Sequence, residues 1–148
     1  MVATSNHTDV EKLNKANDGK LPGWLGLEIT SVRDGLVEGR LPVRTELIAH
    51  TGYLLAGALL SVADILCAYG VSTAWPEGAN GFTTVEVKCN FVGTARDGAV
   101  LCRAKLLHGG RTTQVWDAEM TNEATGKLMA AFRCTQMILY PVPGRSAV

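Results

Sequence analysis

The first third of the chain alternates between short amphipathic segments and turn signals. Residues 9–17 carry apolar side chains at helical spacing, which predicts a short peripheral helix. A turn cluster, LPGWLG at residues 21–26, follows it. Alternation of apolar and polar positions then predicts two strands, at 27–32 and 36–43. The Asp34-Gly35 pair between them indicates a hairpin.

The stretch HTGYLLAGALLSVADILCAYG, residues 50–70, is the most apolar of the chain and predicts one helix of about 18 residues. The sequence WPEG at 75–78 ends it, because proline and glycine both oppose continuation of a helix. Past its first turn, the strongly polar side chains in this stretch are Ser61 and Asp64. A carboxylate and several glycines make a poor membrane span, so a buried core helix is favoured.

The second half of the chain predicts four strands with short glycine-containing turns between them. Such a series is typical of an antiparallel meander. The four predicted strands cover residues 82–92, 99–108, 112–122 and 128–139.

A helix that is apolar on nearly every side must be surrounded, and a strongly curved antiparallel sheet wrapped around it does so most economically. The predicted fold class is therefore α+β, with one domain over residues 21–140. Residues 1–20 would form an N-terminal tail with the short helix, and residues 141–148 a C-terminal tail. Exposed sheet edges would favour pairing into a homodimer.

Composition narrows the class of protein. Lysine plus arginine and aspartate plus glutamate both number 14, so the formal charge is zero, which argues against a nucleic-acid partner. The four cysteines are scattered without ligand spacing, which predicts reduced thiols and no metal site. The first residues lack the apolar core of a signal peptide, so a cytoplasmic protein without a membrane partner is expected.

Four motifs carry a family resemblance: GYLLAG at 52–57, LSVAD at 60–64, GFTTVEVKCNF at 81–91 and GRTT at 110–113. On these, the chain resembles the hotdog-fold acyl-CoA thioesterases, in the phenylacetate-degradation (PaaI-like) or 4-hydroxybenzoyl-CoA thioesterase branch. The resemblance covers about residues 20 to 140. It implies a curved antiparallel sheet around one long central helix. It also implies a homodimer with a continuous sheet, and a homotetramer built from two dimers.

The resemblance also implies an activity, the hydrolysis of acyl-CoA thioesters with small, medium or aromatic acyl groups. Coenzyme A would enter only as part of the substrate, with no other cofactor. Active sites would lie at the dimer interface. There the acidic residue of one subunit's helix would meet the helix-entry backbone of the other.

Asp64 matches the acidic helix residue of the family, which makes it the candidate base or nucleophile. Backbone N–H groups of Ala56 and Gly57 would stabilise the oxyanion, because the first turn of a helix has free N–H groups. Small residues there would let the thioester carbonyl approach closely. The chain has Leu55 where the family usually keeps a histidine, and Thr51 where it often has an asparagine. His50, next to Thr51, could supply the missing polar contact.

The remaining candidates are substrate-binding residues. Ser61 and Ala68 share a helix face with Asp64, and Ser61 would either orient the carboxylate, line the acyl pocket or bond a preceding carbonyl. A second group comes from the motifs and from basic positions suited to the phosphates of coenzyme A. The residues of this group are Thr51, Thr84, Arg96, Arg111 and Thr112, to which Lys88 and Arg145 could add.

Three alternatives stay open at this point. The absence of the helix-entry histidine is compatible with a non-catalytic acyl-CoA-binding or regulatory module. A hydratase or dehydratase of the same fold would need an acid and histidine pair at the helix entry, which Leu55 disfavours. A purely structural oligomerisation domain would leave Asp64 and Arg111 without a shared ligand.

Overall fold

A six-stranded antiparallel sheet wraps around one long helix in the computed structural model, which describes residues 7–144. The helices are α1 (His7–Asn17), α2 (Leu21–Leu25) and α3 (Ala56–Val71). The strands are β1 (Glu28–Arg33), β2 (Leu36–Pro42), β3 (Gly81–Phe91), β4 (Ala99–Gly109), β5 (Thr113–Asn122) and β6 (Leu128–Leu139). Short 3-10 turns at Thr45–Leu47 and Ser72–Ala74 flank α3 on either side.

Helix α3 is the centre of the core, as predicted. Its 16 residues include Val62, Ala63, Leu66, Cys67 and Val71, which are fully buried. The residues before it form a turn closed by a β-bridge between Ile48 and Leu54, so the helix begins later than the apolar stretch does. With the 3-10 turn that follows, the helix is long and apolar enough to cross a membrane. Here its apolar side chains instead pack inside the sheet, which confirms a core helix.

The sheet curves because several of its strands carry bulges. Register shifts occur in β1, β3, β4 and β6, and each extra residue bends the strand and increases its twist. Alternation along the strands points one face at α3, with Trp116, Met120 and Phe132 among the largest inward side chains. The predicted β1–β2 hairpin is confirmed, with Gly35 in the left-handed region at φ +66°.

The predicted four-strand meander is wrong for one strand. The order across the sheet is β1-β2-β4-β5-β6-β3, so β4, β5 and β6 form a meander while β3 pairs with β6 at the far edge. Strand β2 pairs with the side of β4 that β5 does not use. Strand β3 therefore pairs with the outer side of β6. The connecting loop crosses the N-terminal end of α3, where the Ala95 carbonyl accepts from the Leu54 N–H. Turn signals mark where a strand ends and do not specify its partner.

The turn cluster at 21–26 is also corrected, because it contains the short helix α2. Pro22 lies in its first turn, where the missing N–H costs nothing. Gly26 ends it at φ +81°, a left-handed conformation that glycine adopts without strain.

The two edges of the sheet differ in how they are protected. At the β1 edge, the Asn14 side chain of α1 accepts from the Ile29 N–H and donates to the Ile29 carbonyl, at 2.8 and 2.9 Å. The β3 edge has no such cover within residues 7–144, and Phe91 and Val92 are 43% and 64% exposed. An apolar edge strand with free pairing groups is a template for a further strand.

Candidate functional site

One face of α3 is only partly covered by the rest of the fold, where the helix lies next to the edge strand β3. It carries Gly57, which is exposed, and Ser61, Asp64 and Ala68, which are half-buried. These four residues are called the open face of α3. Their spacing of three and four places them in one row, as predicted for Ser61, Asp64 and Ala68.

The carboxylate of Asp64 is bonded to the edge strand β3. The Thr84 hydroxyl lies 3.3 Å from Asp64 Oδ1 and 2.9 Å from Oε1 of Gln136 on β6. Within residues 7–144, none of the salt bridges involves Asp64. A half-buried carboxylate with a hydroxyl partner and no cation beside it is available for chemistry rather than used in an ion pair.

The entry of α3 consists of Leu55, Ala56 and Gly57, and all three are exposed. Leu55 precedes the first turn in an extended conformation and gives no side-chain cap. Within residues 7–144, the N–H groups of Ala56 and Gly57 make no backbone hydrogen bond outside the helix, and first-turn amides have no partner inside one. The helix dipole adds to the positive potential there. The helix entry can therefore accept a developing oxyanion.

Of the three roles predicted for Ser61, the structure shows the bond to a preceding backbone carbonyl. Its hydroxyl donates to the Gly57 carbonyl at 2.8 Å, one turn earlier in the same helix. The bond is typical of a helix serine and does not reach the carboxylate.

Beside the helix entry, Arg96 is held by Tyr53. The guanidinium donates to the tyrosine hydroxyl at 2.6 Å and lies 4.3 Å from the ring centroid. Both side chains are exposed, as are His50 and Thr51 in the turn before α3. This arrangement holds a positive charge in a fixed direction at the entry.

Arg111 and Thr112 lie in the β4–β5 turn, at the other end of the sheet. The Arg111 guanidinium stacks 5.1 Å from the ring centroid of Tyr140, whose hydroxyl donates to the Arg111 carbonyl. The Thr112 carbonyl accepts from the Ile138 N–H. The length of β4 separates Arg111 from Arg96, about 35 Å at the rise of a strand. One protomer therefore does not bring these two cations together.

The two additional basic candidates do not join this turn. Lys88 pairs across from Arg133 on the outer face of the sheet and donates to Asn90 at 2.9 Å. It therefore lies on the side of the sheet opposite to α3. Arg145 lies outside the described residues.

Sequence reasoning missed Gln136, Tyr53 and Tyr140. Gln136 could have been found, because it occupies an inward position of β6 between Cys134 and Ile138, where a polar side chain must have a partner. The local sequence did not indicate the two tyrosines, because each contacts its arginine only in the folded chain.

The four cysteines have free thiols, as predicted, and all but Cys89 are buried. The contact of Cys67 with Cys134, together with burial, raises the pKa of the Cys67 thiol far above its usual range. Cys67 is therefore protonated at neutral pH. It lies one turn after Asp64 on α3.

Comparison with known proteins decides the family. Residues 51–129 match the family model described as the thioesterase superfamily. That range spans more than half of the chain and contains both the helix entry and Asp64. The chain belongs to the thioesterase superfamily.

The similar proteins agree with this assignment. A 1,4-dihydroxy-2-naphthoyl-CoA hydrolase from Escherichia coli is 31% identical over 88% of this chain and 94% of its own length. A protein of the same name from Listeria monocytogenes is 31% identical over 75% of this chain and 89% of its own. A thioesterase structure from Haemophilus influenzae superposes with a TM-score of 0.85 at 24% identity, covering 99% of this chain and all of that one.

This thioesterase-superfamily member has the hotdog fold, as the resemblance implied, and it is a thioester hydrolase. An enzyme is therefore favoured over a non-catalytic or purely structural module. The family model spans the helix entry despite Leu55, which is 53% exposed and capable of contacting a ligand.

Proposed function

We propose that this protein hydrolyses acyl-CoA thioesters to free acid and coenzyme A, with Asp64 as general base or nucleophile. The observation that carries the proposal is the half-buried Asp64 carboxylate, which forms no salt bridge within residues 7–144 and is held by Thr84 beside an exposed apolar sheet edge. In the water route, Asp64 takes a proton from water as hydroxide adds to the thioester carbon. The C–S bond then breaks, and the thiolate takes up a proton as it leaves. In the nucleophile route, the carboxylate displaces the thiolate and forms an anhydride, which water hydrolyses.

The oxyanion donors for a given Asp64 come from a partner subunit. Asp64 lies seven positions after Gly57 on α3, which is about 10 Å along the helix axis. A base and oxyanion donors must each lie about 3 Å from the reacting atoms, so one thioester cannot use both groups of the same protomer.

Antiparallel pairing of the β3 edges of two protomers would bring the helix entry of one protomer to Asp64 of the other. Thr84, which bonds Asp64, lies three residues after the start of β3 at Gly81. Leu54, immediately before the helix entry, donates to the carbonyl of Ala95, which lies four residues beyond the end of β3 at Phe91. In an antiparallel pair the end of one strand lies beside the start of the other, so the partner's helix entry approaches Asp64. The same pairing buries the exposed apolar side chains of the edge.

We infer that the substrate binds in the interface between the two subunits. Arg111 and Thr112 lie at the end of the sheet where β3 begins, because Ile138, opposite Phe82, donates to the Thr112 carbonyl. Arg111 with a neighbouring hydroxyl suits the phosphates of coenzyme A. Arg96 and Tyr53 of the partner subunit's helix entry would approach the same end, with His50 and Thr51 in the preceding turn. A homotetramer of two such dimers stays a prediction, which light scattering checks.

The acyl group we propose is aromatic or of medium length and apolar. The helix entry and the β3 edge offer the exposed apolar side chains Leu55, Val87 and Phe91. Ala68, half-buried on the open face, leaves space beside Asp64. The relatives named as 1,4-dihydroxy-2-naphthoyl-CoA hydrolases support an aromatic acyl group.

Coenzyme A recognition is tested with Arg111→Ala on two forms of the same substrate. Benzoyl-, phenylacetyl- and hexanoyl-CoA are compared with the corresponding N-acetylcysteamine thioesters, which lack the nucleotide. We expect Arg111→Ala to raise KM for the CoA thioesters about tenfold with kcat nearly unchanged, as for loss of one charge-assisted hydrogen bond. The truncated thioesters should show no such rise. Free-thiol release gives both constants.

Arg103→Ala is the matched control, because Arg103 is exposed on β4 and pairs with Glu38. It should leave KM unchanged for both forms of the substrate. Equal effects of Arg111→Ala on the CoA and truncated thioesters would refute a nucleotide contact at this turn. Thioester cleavage without any preference for the CoA forms would refute the proposed substrate class.

A further inference from the structure

Gln136 is a fully buried glutamine whose amide ends beside the proposed catalytic carboxylate. It lies directly opposite Thr84 in the β3–β6 register, and its solvent exposure is 0%. One end of the amide lies 2.9 Å from the Thr84 hydroxyl, and the other lies 3.4 Å from the Cys134 sulfur. The amide therefore connects the core to Asp64 through one hydroxyl group.

The Thr84 hydroxyl has only one proton to donate. An ionised carboxylate only accepts hydrogen bonds, and so does the oxygen of an amide. If the Gln136 oxygen faces Thr84, it competes with Asp64 for that proton, and the shorter contact is the one to Gln136. Asp64 would then be left without its donor.

A half-turn of the nearly symmetric amide removes this conflict. The amide NH2 then donates to the Thr84 oxygen, and the hydroxyl proton is free for Asp64 Oδ1. The amide oxygen turns to Cys134, whose thiol is a weak donor as well as a weak acceptor. In this orientation, every polar atom along the path from Cys134 to Asp64 has a partner, which a buried network requires.

We propose that Gln136 is a positioning residue for the hydrolysis, because its amide directs the Thr84 hydroxyl proton onto Asp64. The proposal rests on the proposed function of Asp64. The bond to Oδ1 fixes the rotation of the carboxylate and leaves its second oxygen for the water or the thioester carbon. Gln136 itself touches no substrate.

The test is a double-mutant cycle between Gln136→Met and Thr84→Val, measured by thiol release from the preferred acyl-CoA. We expect each single substitution to lower kcat about tenfold, the size of one lost hydrogen bond, with KM changed less than about twofold. The double variant should lose no more than Thr84→Val alone, because both act through the same hydroxyl. Thr84→Ser, which keeps that hydroxyl, should retain most of the rate.

Gln114→Met is the matched control. Gln114 is equally buried and lies opposite Gln136 in the β5–β6 register, but its amide donates to the Ala74 carbonyl and accepts from the Trp116 indole, so it is outside the chain of hydrogen bonds to Asp64. It should lose stability without losing kcat. A similar fall of kcat in Gln114→Met, or a hundredfold loss in the double variant, would overturn the positioning role.

Two further variants distinguish a failure of the positioning role from a failure of the proposed function. If Gln136→Met does not fold, Gln136→Leu replaces it, since leucine also removes the amide from the Thr84 hydroxyl without leaving a buried polar group, and it should lower kcat to a similar extent. Asp64→Asn is measured in the same assay. An inactive Asp64→Asn with a normal Gln136→Met overturns the positioning role alone, whereas a fully active Asp64→Asn overturns the proposed function as well.

Discussion

Asp64→Asn is expected to lower kcat for acyl-CoA hydrolysis by about 10³-fold while the protein stays folded. Asparagine has the shape of aspartate and still accepts the bond from Thr84 through its side-chain oxygen. It can neither take a proton from water nor attack the thioester carbon, so both routes open to Asp64 are lost. Steady-state thiol release and a thermal melt measure the two parts of this prediction.

Asp117→Asn is the control for the loss of one negative charge. Asp117 lies on the outer face of the sheet and is paired with Arg133. Its substitution should change kcat less than about twofold, because it is far from the open face of α3. Equal rates for Asp64→Asn and the wild type would show that the carboxylate is not the reacting group.

Gly70→Ala is expected to destabilise the protein by about 3 kcal/mol, although alanine is the better helix former. A Cβ atom at position 70 would lie 2.5 Å from two ring carbons of Trp116. The indole has no room to retreat, since it is fully buried and donates to the Gln114 side chain at 2.9 Å. Urea denaturation measures the change in the free energy of unfolding.

Gly57→Ala on the same helix is the matched control. A Cβ there would meet only the Leu55 side chain, at 3.8 Å. We expect a gain of up to about 1 kcal/mol, the ordinary advantage of alanine over glycine in a helix. Opposite signs at the two glycines support close packing of α3 on Trp116, whereas a gain at both would contradict it.

Local patterns predicted most elements of this fold, though not α2, and they pointed to Asp64 in the proposed site. The apolar helix, the hairpin and the strands follow from periodicity and turn residues, which act over a few positions. Asp64 could be identified from the sequence because a carboxylate in an apolar helix is costly to bury unless it is paired or has a function. The position of β3 could not be predicted, because strand pairing depends on which edge is free after β2 has joined β4.

The rest of the site depends on contacts between distant parts of the chain. Gln136 meets Thr84 only because β6 and β3 are neighbours, and 52 positions separate the two residues. Tyr140 similarly holds Arg111 from 29 positions away. The family resemblance indicated the motifs that carry the proposed site residues, but the contacts between those residues depend on the fold.

We propose that each active site combines Asp64 of one protomer with the helix entry of its partner. The most direct test of this shared site uses heterodimers of two inactive variants, Asp64→Asn and Gly57→Val, which carry different affinity tags and are purified on both tags in turn. A Cβ atom at position 57 has room within the protomer, and the branched side chain of valine should block the approach of the thioester carbonyl. Each homodimer should retain about 1% of the wild-type rate or less.

The heterodimer should recover about half of the wild-type rate, because one of its two sites then has an intact Asp64 and an intact partner entry. If both groups acted within one protomer, neither site of the heterodimer would be complete. A heterodimer as inactive as its two parents would contradict the shared site.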